Sequence, residues 1–337
     1  MWKSGFKWMF LIIGTTIGAG YASGRELWEF FGHGSGLAIV LFVIFFVMSC
    51  NVIMTISYKK SSTEYRPVLK EIVGKKLSPF YDVMIFVYLY TTTVVMMSGS
   101  GATGQAFNFP YWWGIAFIAI MLVLLFLKDI SGLLSINQII LPILIFGLLY
   151  VLLTFIHDQN LHLFSHWREQ HNWPSAFPFT ALNILPLIAV LGAVGDKVTS
   201  KQEIWIASIG SGLTLGIVTY VYNNSLIQIA EEIIVFEIPL FAILSNYPFY
   251  MVLFMSILLW FAIFTTAASG VLGITTRLAG YFKLPFWLLV AAILATMIPL
   301  TTLGFSTLVS ILYPLYGLLN LYVLTRLLLF PLWNKNG

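Results

Sequence analysis

Charged residues are scarce in this chain of 337 residues: Asp, Glu, Lys and Arg make up only 9% of it. Soluble globular domains carry about 25% of such residues. Hydrophobic residues account for 59% of the chain, and its mean hydropathy is +0.92. Since water-soluble packing cannot cover so much apolar surface, the composition excludes a soluble domain and indicates a protein whose solvent is lipid.

Cysteine and catalytic patterns are equally sparse. The single cysteine, Cys50, lies in an apolar run and rules out an intrachain disulfide framework. The sequence holds no Walker phosphate-binding loop, no pairing of a nucleophile with a base, and no paired acids on one helix. We therefore expect neither an ATP-driven pump nor an enzyme, and we expect no cofactor.

Long apolar runs dominate the chain instead. A helix needs about 20 apolar residues to cross a bilayer, and no linker or low-complexity segment separates the runs that are long enough. These runs are 6–31, 36–58, 80–108, 111–127, 131–156, 175–195, 203–227, 247–276, 284–303 and 305–332. The sequence therefore predicts an all-α integral membrane protein with ten transmembrane helices in a single domain, 1–337.

Basic residues lie at one set of helix ends. If the N-terminus is cytoplasmic, every Lys and Arg except Arg25 and Arg168 falls on the cytoplasmic side. Because basic residues mark cytoplasmic loops, we expect a multi-pass protein of the cell (inner) membrane with both termini in the cytoplasm. The pI of about 9.0 then reflects topology and contact with membrane lipid, and it gives no reason to expect nucleic acid as a partner.

Ten helices divide into two sets of five, 6–156 and 175–332, and the odd number gives the second set an inverted topology. Transporters with inverted repeats place their substrate site near the membrane midplane, where a helix in each half is broken. In the first half, "GTTIGAGYASGRE" has four glycines in residues 14–24. In the second half, Asn183 and Pro186 fall near the middle of the sixth helix. Glycine and proline also serve close packing in membrane helices, but their matching positions favour breaks in helices one and six.

The segment "GTTIGAGYASG" resembles the first-helix signature of LeuT-fold transporters in the amino acid–polyamine–organocation superfamily. The longer segment "IIGTTIGAGYASGRELWEFF" is similar to that of the YkvI-like bacterial membrane proteins. Through helix count and topology the resemblance extends over nearly the full chain. It implies a LeuT-like 5+5 inverted repeat, with helices one and six broken at the midplane, and a secondary transporter that works by alternating access.

The resemblance also implies a Na⁺ site. In sodium-coupled members, two carbonyls of the first helix and side chains of the eighth helix hold the ion. The matching first-helix positions are Gly14 and Ile17, and "AIFTT" in the eighth helix supplies Ala262, Thr265 and Thr266. Membrane threonines also commonly bond to their own helix backbone, so a proton-coupled or uncoupled carrier is the alternative.

The substrate site implied by the resemblance lies at the two helix breaks. There the head group of a substrate meets the first-helix backbone, and the ring of Tyr21 is expected to line the pocket. The implied members of this site are Gly18, Ala19, Gly20, Tyr21, Leu182 and Asn183. On the third helix, Met97 is expected at the midplane with Thr93, Met96 and Ser100, in a stretch of small residues that suits either helix contacts or a pocket wall.

Arg25, Glu26 and Glu29 follow the glycine motif in the outer half of the first helix. Ionisable groups at membrane depth are costly and usually face a protein interior or a cavity. They are interpreted as an outer gate or coupling group, or as an ion pair near the membrane surface, since residues four apart can pair on one helix face. If Glu26 instead faces the pocket, it would bind a cationic substrate or relay a proton.

The sequence therefore predicts a secondary active transporter, with Na⁺ as coupling ion, for a small polar organic solute such as an amino acid or a derivative. A proton-coupled or uncoupled carrier of the same fold is one alternative. A second alternative is a receptor subunit that binds an amino acid without transporting it, and an intramembrane enzyme ranks last. The expected partners are the small-molecule substrate and lipid, and the expected assembly is a monomer or a homodimer.

Overall fold

The computed structural model describes residues 2–127, 133–159, 170–233, 235–245, 247–279 and 281–333. Arg168, one of the two basic residues set apart above, lies outside these ranges. Within them all regular secondary structure is helical. The helices are α1 Trp2–Thr16, α2 Ala19–Ala22, α3 Arg25–Phe30, α4 Gly36–Lys59, α5 Arg66–Gln105, α6 Tyr111–Leu127, α7 Leu133–Asp158, α8 Ala176–Leu191, α9 Lys201–Gln228, α10 Ala230–Ile233, α11 Pro239–Leu244, α12 Phe249–Leu278, α13 Phe286–Met297, α14 Phe305–Leu319 and α15 Leu321–Trp333, with 3-10 helices at Trp173–Ser175, Gly195–Lys197 and Ile298–Leu303.

Seven helices among the described residues are long and apolar enough to cross a membrane, and α14 with α15, bent by 41°, brings the number to eight. This makes the chain an integral membrane protein. Two of the ten predicted spans fall short of this criterion. Span 111–127 is the shorter apolar helix α6, and span 6–31 is divided among α1, α2 and α3.

The first predicted span loses its helical hydrogen bonding at Gly18, directly after the Ile17 amide donates to the Ile13 carbonyl at 2.8 Å. The Gly18 amide donates to the Thr16 carbonyl at 3.0 Å, so the Gly14 carbonyl lacks the donor that a continuous helix would supply. Gly18 has extended backbone with φ −99° and ψ −169°. A second interruption follows at Gly24, whose φ of +81° is left-handed and favours glycine.

The sixth predicted span is not broken at Asn183 and Pro186. Instead, α8 runs without interruption from Ala176 to Leu191 and ends before Gly192. Proline removes only the one hydrogen bond that the Leu182 carbonyl would accept. Helix α8 tolerates that loss because it is packed among α4, α14 and α15, and neighbouring helices stabilise prolines inside membrane helices.

Two further segments differ from a simple series of straight spans. Helix α5 begins well before the predicted third span and is kinked at Gly74, where φ is +83°. The apolar segment between α9 and α12 forms the short α10 and then α11, all of whose residues are buried. Around them, α1 and α4 pack against α9, while α5 packs against α6 and α12. This arrangement surrounds the interruption at Gly18 with α5, α8, α12 and α14.

Candidate functional site

A cavity of about 610 Å³ leads from one end of the helices to the interruption in the first span. Lys7, Glu64, Arg66 and Arg277 line its mouth, and α1, α5, α8 and α12 form its walls. Arg277 and Thr266 both line it and lie eleven residues apart on α12, a separation of about 16 Å in a helix. The cavity therefore reaches deep between the helices and ends beside Gly18.

Side chains from four helices meet at the inner end of the cavity. They are Tyr88 and Met96 of α5, Asn183 of α8, Thr266 of α12 and Tyr313 of α14. Glu26 of α3 lies among them. An opening in the first span, bordered by polar side chains from several helices, is a place where a small molecule can contact bare backbone.

Glu26 is the acidic group at this inner end. Its side chain is 4% exposed, and the Oε1 atom has no hydrogen-bond partner. The Oε2 atom lies 2.9 Å from the position that a Cβ on Gly20 would occupy, and Tyr313 Cε2 lies 2.7 Å from the same point. Asn183 is close enough to interact with the Glu26 carboxyl group. Glycine at position 20 therefore leaves room for both side chains.

The structure places the substrate residues implied by the sequence in two groups. Gly18, Leu182 and Asn183 line the cavity, while Gly20 borders it through Glu26 and Tyr313. Ala19 is buried outside the lining.

Tyr21 does not line the pocket, contrary to expectation. Its hydroxyl donates to the Leu215 carbonyl at 2.9 Å and is 2.6 Å from Thr219 Oγ1, so the ring is anchored on α9. Met97 is also wrongly placed by the sequence, because the cavity is lined by Met96 and Met97 is fully buried. One residue along a helix turns the side chain by about 100°, which separates the two methionines.

Only part of the implied sodium site faces the cavity. Gly14 and Thr266 line it, and Thr266 Oγ1 lies 3.8 Å from where a Cβ on Gly18 would be. Ile17 and Ala262 are buried outside the lining. Thr265 donates to carbonyls of its own helix, at 3.0 Å to Phe261 and 3.3 Å to Ala262. These positions match the alternative interpretation of Thr265 as a helix-bonded threonine.

Arg25 and Glu29 lie outside the cavity. Three ion pairs are present among the described residues, and none joins Arg25 to Glu29. Their charges are near enough to interact, yet Arg25 Nε is buried without a hydrogen-bond partner. Of the three ionisable residues after the glycine motif, Glu26 alone is a cavity residue.

The end of the molecule opposite the mouth is sealed by hydrogen bonds to the segment that follows the interruption. The Tyr222 hydroxyl of α9 donates to the Ala22 carbonyl at 3.2 Å, and the Leu240 amide of α11 donates to the Ser23 carbonyl at 2.9 Å. Asn223 bonds to both backbone groups of Gly32, at 2.8 and 3.0 Å. Within the described part of the chain, the cavity thus opens on the side of the mouth.

A charged cluster at the mouth connects α5 to α12. Arg277 Nη2 lies 2.5 Å from Asp82 Oδ2, and its Nη1 donates to the Asp82 carbonyl at 3.0 Å. Arg66 is 3.6 Å from the same carboxylate. The Tyr65 hydroxyl also donates to Asp82, and burial together with this hydrogen bond raises the pKa of Tyr65. The cluster therefore links α5 to α12 along one wall of the mouth.

The sequence missed Tyr88 and Tyr313, which border the inner end of the cavity. Neither residue belongs to a motif, and both lie in apolar helices rich in aromatic residues. In the apolar run "LVSILYPLYGLL" of α14, Tyr313 is one of three polar positions, with Ser310 and Tyr316. Whether Tyr88 and Tyr313 face the cavity depends on how α5 and α14 pack.

Comparison with known proteins identifies relatives of this chain. No family model matches the chain. It is 47% identical over 335 residues to the uncharacterized protein YyaD of Bacillus subtilis (strain 168), with 99% of each chain covered. The chain belongs to the YyaD family. It is also 24% identical over 329 residues to the uncharacterized membrane protein YkvI of the same strain, covering 95% of this chain and 94% of YkvI.

Solved structures share the fold of this YyaD relative at low sequence identity. MhsT in complex with L-phenylalanine matches with a TM-score of 0.66 at 13% identity, covering 98% of this chain and 89% of MhsT. The inward-facing conformation of Mhp1 matches with a TM-score of 0.58 at 16% identity, and the match covers 94% of this chain and 73% of Mhp1. A substrate-bound Na⁺-coupled sialic acid symporter matches with a TM-score of 0.59 at 11% identity, and the match covers 91% of this chain and 74% of the symporter. The resemblance to LeuT-fold and YkvI-like proteins is confirmed, and one of these structural neighbours is a Na⁺-coupled symporter.

Proposed function

We propose that the chain is a secondary active transporter that carries a small polar organic solute by alternating access, and that the structure is its inward-open state. The observation that carries the proposal is the one-sided cavity. It runs from the basic mouth at Lys7 and Arg277 to the helix interruption at Gly18. Because basic residues favour the cytoplasmic side, the open side is cytoplasmic, and both termini lie there in the cell membrane.

The proposal assigns ten spans to the protein. The segments α1–α3, Ile298–Leu303 joined to α13, and α14 joined to α15 each count as one span, with α4 to α9 and α12 supplying the others. They form two inverted repeats, 6–156 and 175–332. The interruption at Gly18 then lies near the midplane, where inverted-repeat transporters bind their substrates. We expect the unit to work as a monomer or a homodimer without nucleic acid.

Na⁺ is the proposed coupling ion. The Gly14 carbonyl has lost its helical donor to the interruption, and Thr266 lies beside Gly18, with Oγ1 3.8 Å from where a Cβ on Gly18 would be. These oxygens are hard ligands suited to an alkali cation, and one structural neighbour is a Na⁺-coupled symporter. In this proposal, closing the mouth of the cavity brings α1 toward α12, where Ile17, Ala262 and Thr265 complete the site.

The substrate is proposed to be an amino acid or a derivative. A neighbour of the same fold holds L-phenylalanine, and the inner end of this cavity combines polar groups such as Asn183 with the apolar Leu182 and Met96. A proton-coupled carrier is the second candidate, because Glu26 places a carboxyl group in the cavity.

Transport and coupling are tested in two steps with purified protein. Amino acids, amines and small acids are screened for thermal stabilisation in NaCl and in choline chloride, since a ligand of the folded state raises apparent stability, by about 2.7 kcal/mol at 100 times its Kd. Every stabilising compound then enters a proteoliposome uptake assay driven by a Na⁺ gradient.

The transporter proposal predicts uptake that Thr266→Ala abolishes. Thr276→Ala is the matched control, because Thr276 also lines the cavity on α12 but near its mouth. Binding without flux would contradict the transporter and favour a receptor. Flux that ignores Na⁺ and follows a proton gradient would favour the second candidate.

A further inference from the structure

We infer that the substrate is an organic cation or zwitterion whose protonated amine is held by Glu26 at the inner end of the cavity. The inference deepens the proposed function, since it assumes that the same cavity admits the solute. It rests on the burial of one carboxyl group, its missing partner, and the position of every other charge that lines the cavity.

The charges along the cavity are separated by depth. Lys7, Arg66 and Arg277 lie at the mouth with Glu64, and Glu26 is the one charged side chain among the described residues at the inner end. Arg66 and Arg277 are already engaged with Asp82. The basic side chains therefore border the entrance and leave the inner end acidic.

Glu26 has no cation of its own among the described residues. None of their ion pairs includes it, and Arg25, its neighbour in sequence, does not line the cavity. A buried carboxylate is costly unless a positive charge pairs with it. An ammonium group entering the cavity would supply that charge and a donor for the free Oε1 atom.

The surroundings of Glu26 also suit an ammonium group. Tyr88 and Tyr313 lie near enough for their hydroxyl groups to sense its charge, and the faces of tyrosine rings attract cations. Asn183 also lines this end, and its Nδ2 donates to the Phe179 carbonyl at 3.0 Å, which leaves its Oδ1 as a further acceptor. The same surroundings repel a carboxylate, so a simple organic acid has no favourable position there.

The test uses matched triplets of probes that differ only in charge. One triplet is isobutylamine, valine and isovalerate, and the other is phenethylamine, phenylalanine and 3-phenylpropionate. Binding is measured by thermal stabilisation and isothermal titration with the wild-type protein and with Glu26→Gln. Glu29→Gln is the control, because Glu29 lies on the same short helix outside the cavity.

The inference predicts that the amine or the amino acid of a triplet binds and that its acid does not. Glu26→Gln should weaken that binding at least tenfold, about 1.4 kcal/mol, while Glu29→Gln should leave it within a factor of two. If the amine alone binds, the substrate is a cation; if the amino acid binds equally well, it is a zwitterion.

Three results would overturn the inference: binding of the acid as tight as that of the amine, no binding of any amine or amino acid, or unchanged affinity in Glu26→Gln. Unchanged affinity with loss of proton-driven flux would assign Glu26 to proton transfer. Counterflow of the bound probe in proteoliposomes separates the two claims. Amine binding without counterflow would support the role of Glu26 and contradict transport. Counterflow of the acid would support transport and contradict the role of Glu26.

Discussion

Trp8 Nε1 donates a hydrogen bond to Glu203 Oε2 at 3.3 Å, which joins the half-helix α1 to the start of α9. Glu203 is buried at the start of α9 and also accepts from the Thr199 amide and hydroxyl, at 3.2 and 2.6 Å. Its carboxylate is therefore a fixed acceptor. The bond holds α1 against α9, and Trp8 also lines the open cavity.

Trp8→Phe should weaken this attachment and destabilise the inward-open state. The phenyl ring keeps most of the packing and the contact with Lys7, so mainly the hydrogen bond to a charged group is lost, worth about 1.5 to 3 kcal/mol. The melting temperature in choline chloride should fall by several degrees. Trp2→Phe, on the exposed part of the same helix, should change nothing; an equal loss in both variants would count against the attachment.

Gly20→Ala and Gly18→Ala should differ sharply although both glycines belong to the same motif. A Cβ on Gly20 would lie 2.7 Å from Tyr313 Cε2 and 2.9 Å from Glu26 Oε2, whereas one on Gly18 would meet nothing nearer than 3.7 Å. Overpacking costs about 1 to 3 kcal/mol. Chemical denaturation should show that loss for Gly20→Ala and a much smaller change for Gly18→Ala; the opposite order would contradict the geometry of the cavity.

Asp82→Asn should destabilise the mouth of the cavity more than the removal of an exposed ion pair does. Asp82 is 18% exposed and pairs with Arg277 at 2.5 Å, so losing its charge should cost about 1.5 to 3 kcal/mol. Glu71→Gln removes the Lys60–Glu71 pair, whose side chains are 38% and 42% exposed, and should cost about 0 to 1 kcal/mol. Similar unfolding free energies for both variants would refute the role of the cluster.

Much of the fold follows from the sequence because lipid imposes a simple length rule. Apolar runs such as 36–58 and 203–227 correspond to the long helices Gly36–Lys59 and Lys201–Gln228. The glycine motif likewise predicted the interruption at Gly18, since it places weak helix formers where the backbone opens. Such features are local and leave a clear pattern in the chain.

The rest depends on packing that no local pattern encodes. Pro186 suggested a broken helix, yet the surrounding helices stabilise α8 through it. Met96 and Met97 are adjacent in sequence, and only the rotation of α5 decides which of them lines the cavity. Tyr313 reaches the site from α14, far along the chain, without any motif to mark it.

Tyr21→Phe tests one of these corrections. If the ring of Tyr21 is anchored on α9 by its bonds to Leu215 and Thr219, losing the hydroxyl should cost about 1 kcal/mol of stability and leave ligand affinity unchanged. Titration of a stabilising probe against the wild-type and variant proteins measures both effects. A loss of affinity with unchanged stability would return Tyr21 to the substrate site.

In the proposed transport cycle, the cavity faces the cytoplasm in this state and closes when Na⁺ binds. Ser269 lines that cavity and is exposed within it, and Cys50 is fully buried, so Ser269→Cys in a Cys50→Ser background provides a single reporter. An impermeant thiol reagent is applied to inside-out and right-side-out vesicles in NaCl and in choline chloride.

We predict labelling from the cytoplasmic side in choline and a rate at least fivefold lower in NaCl, because the rate follows the population of the inward-open state. The wild-type protein, whose one cysteine is the buried Cys50, should stay unlabelled. Labelling from the external side alone, or a cytoplasmic rate that ignores Na⁺ and every stabilising probe, would contradict the account.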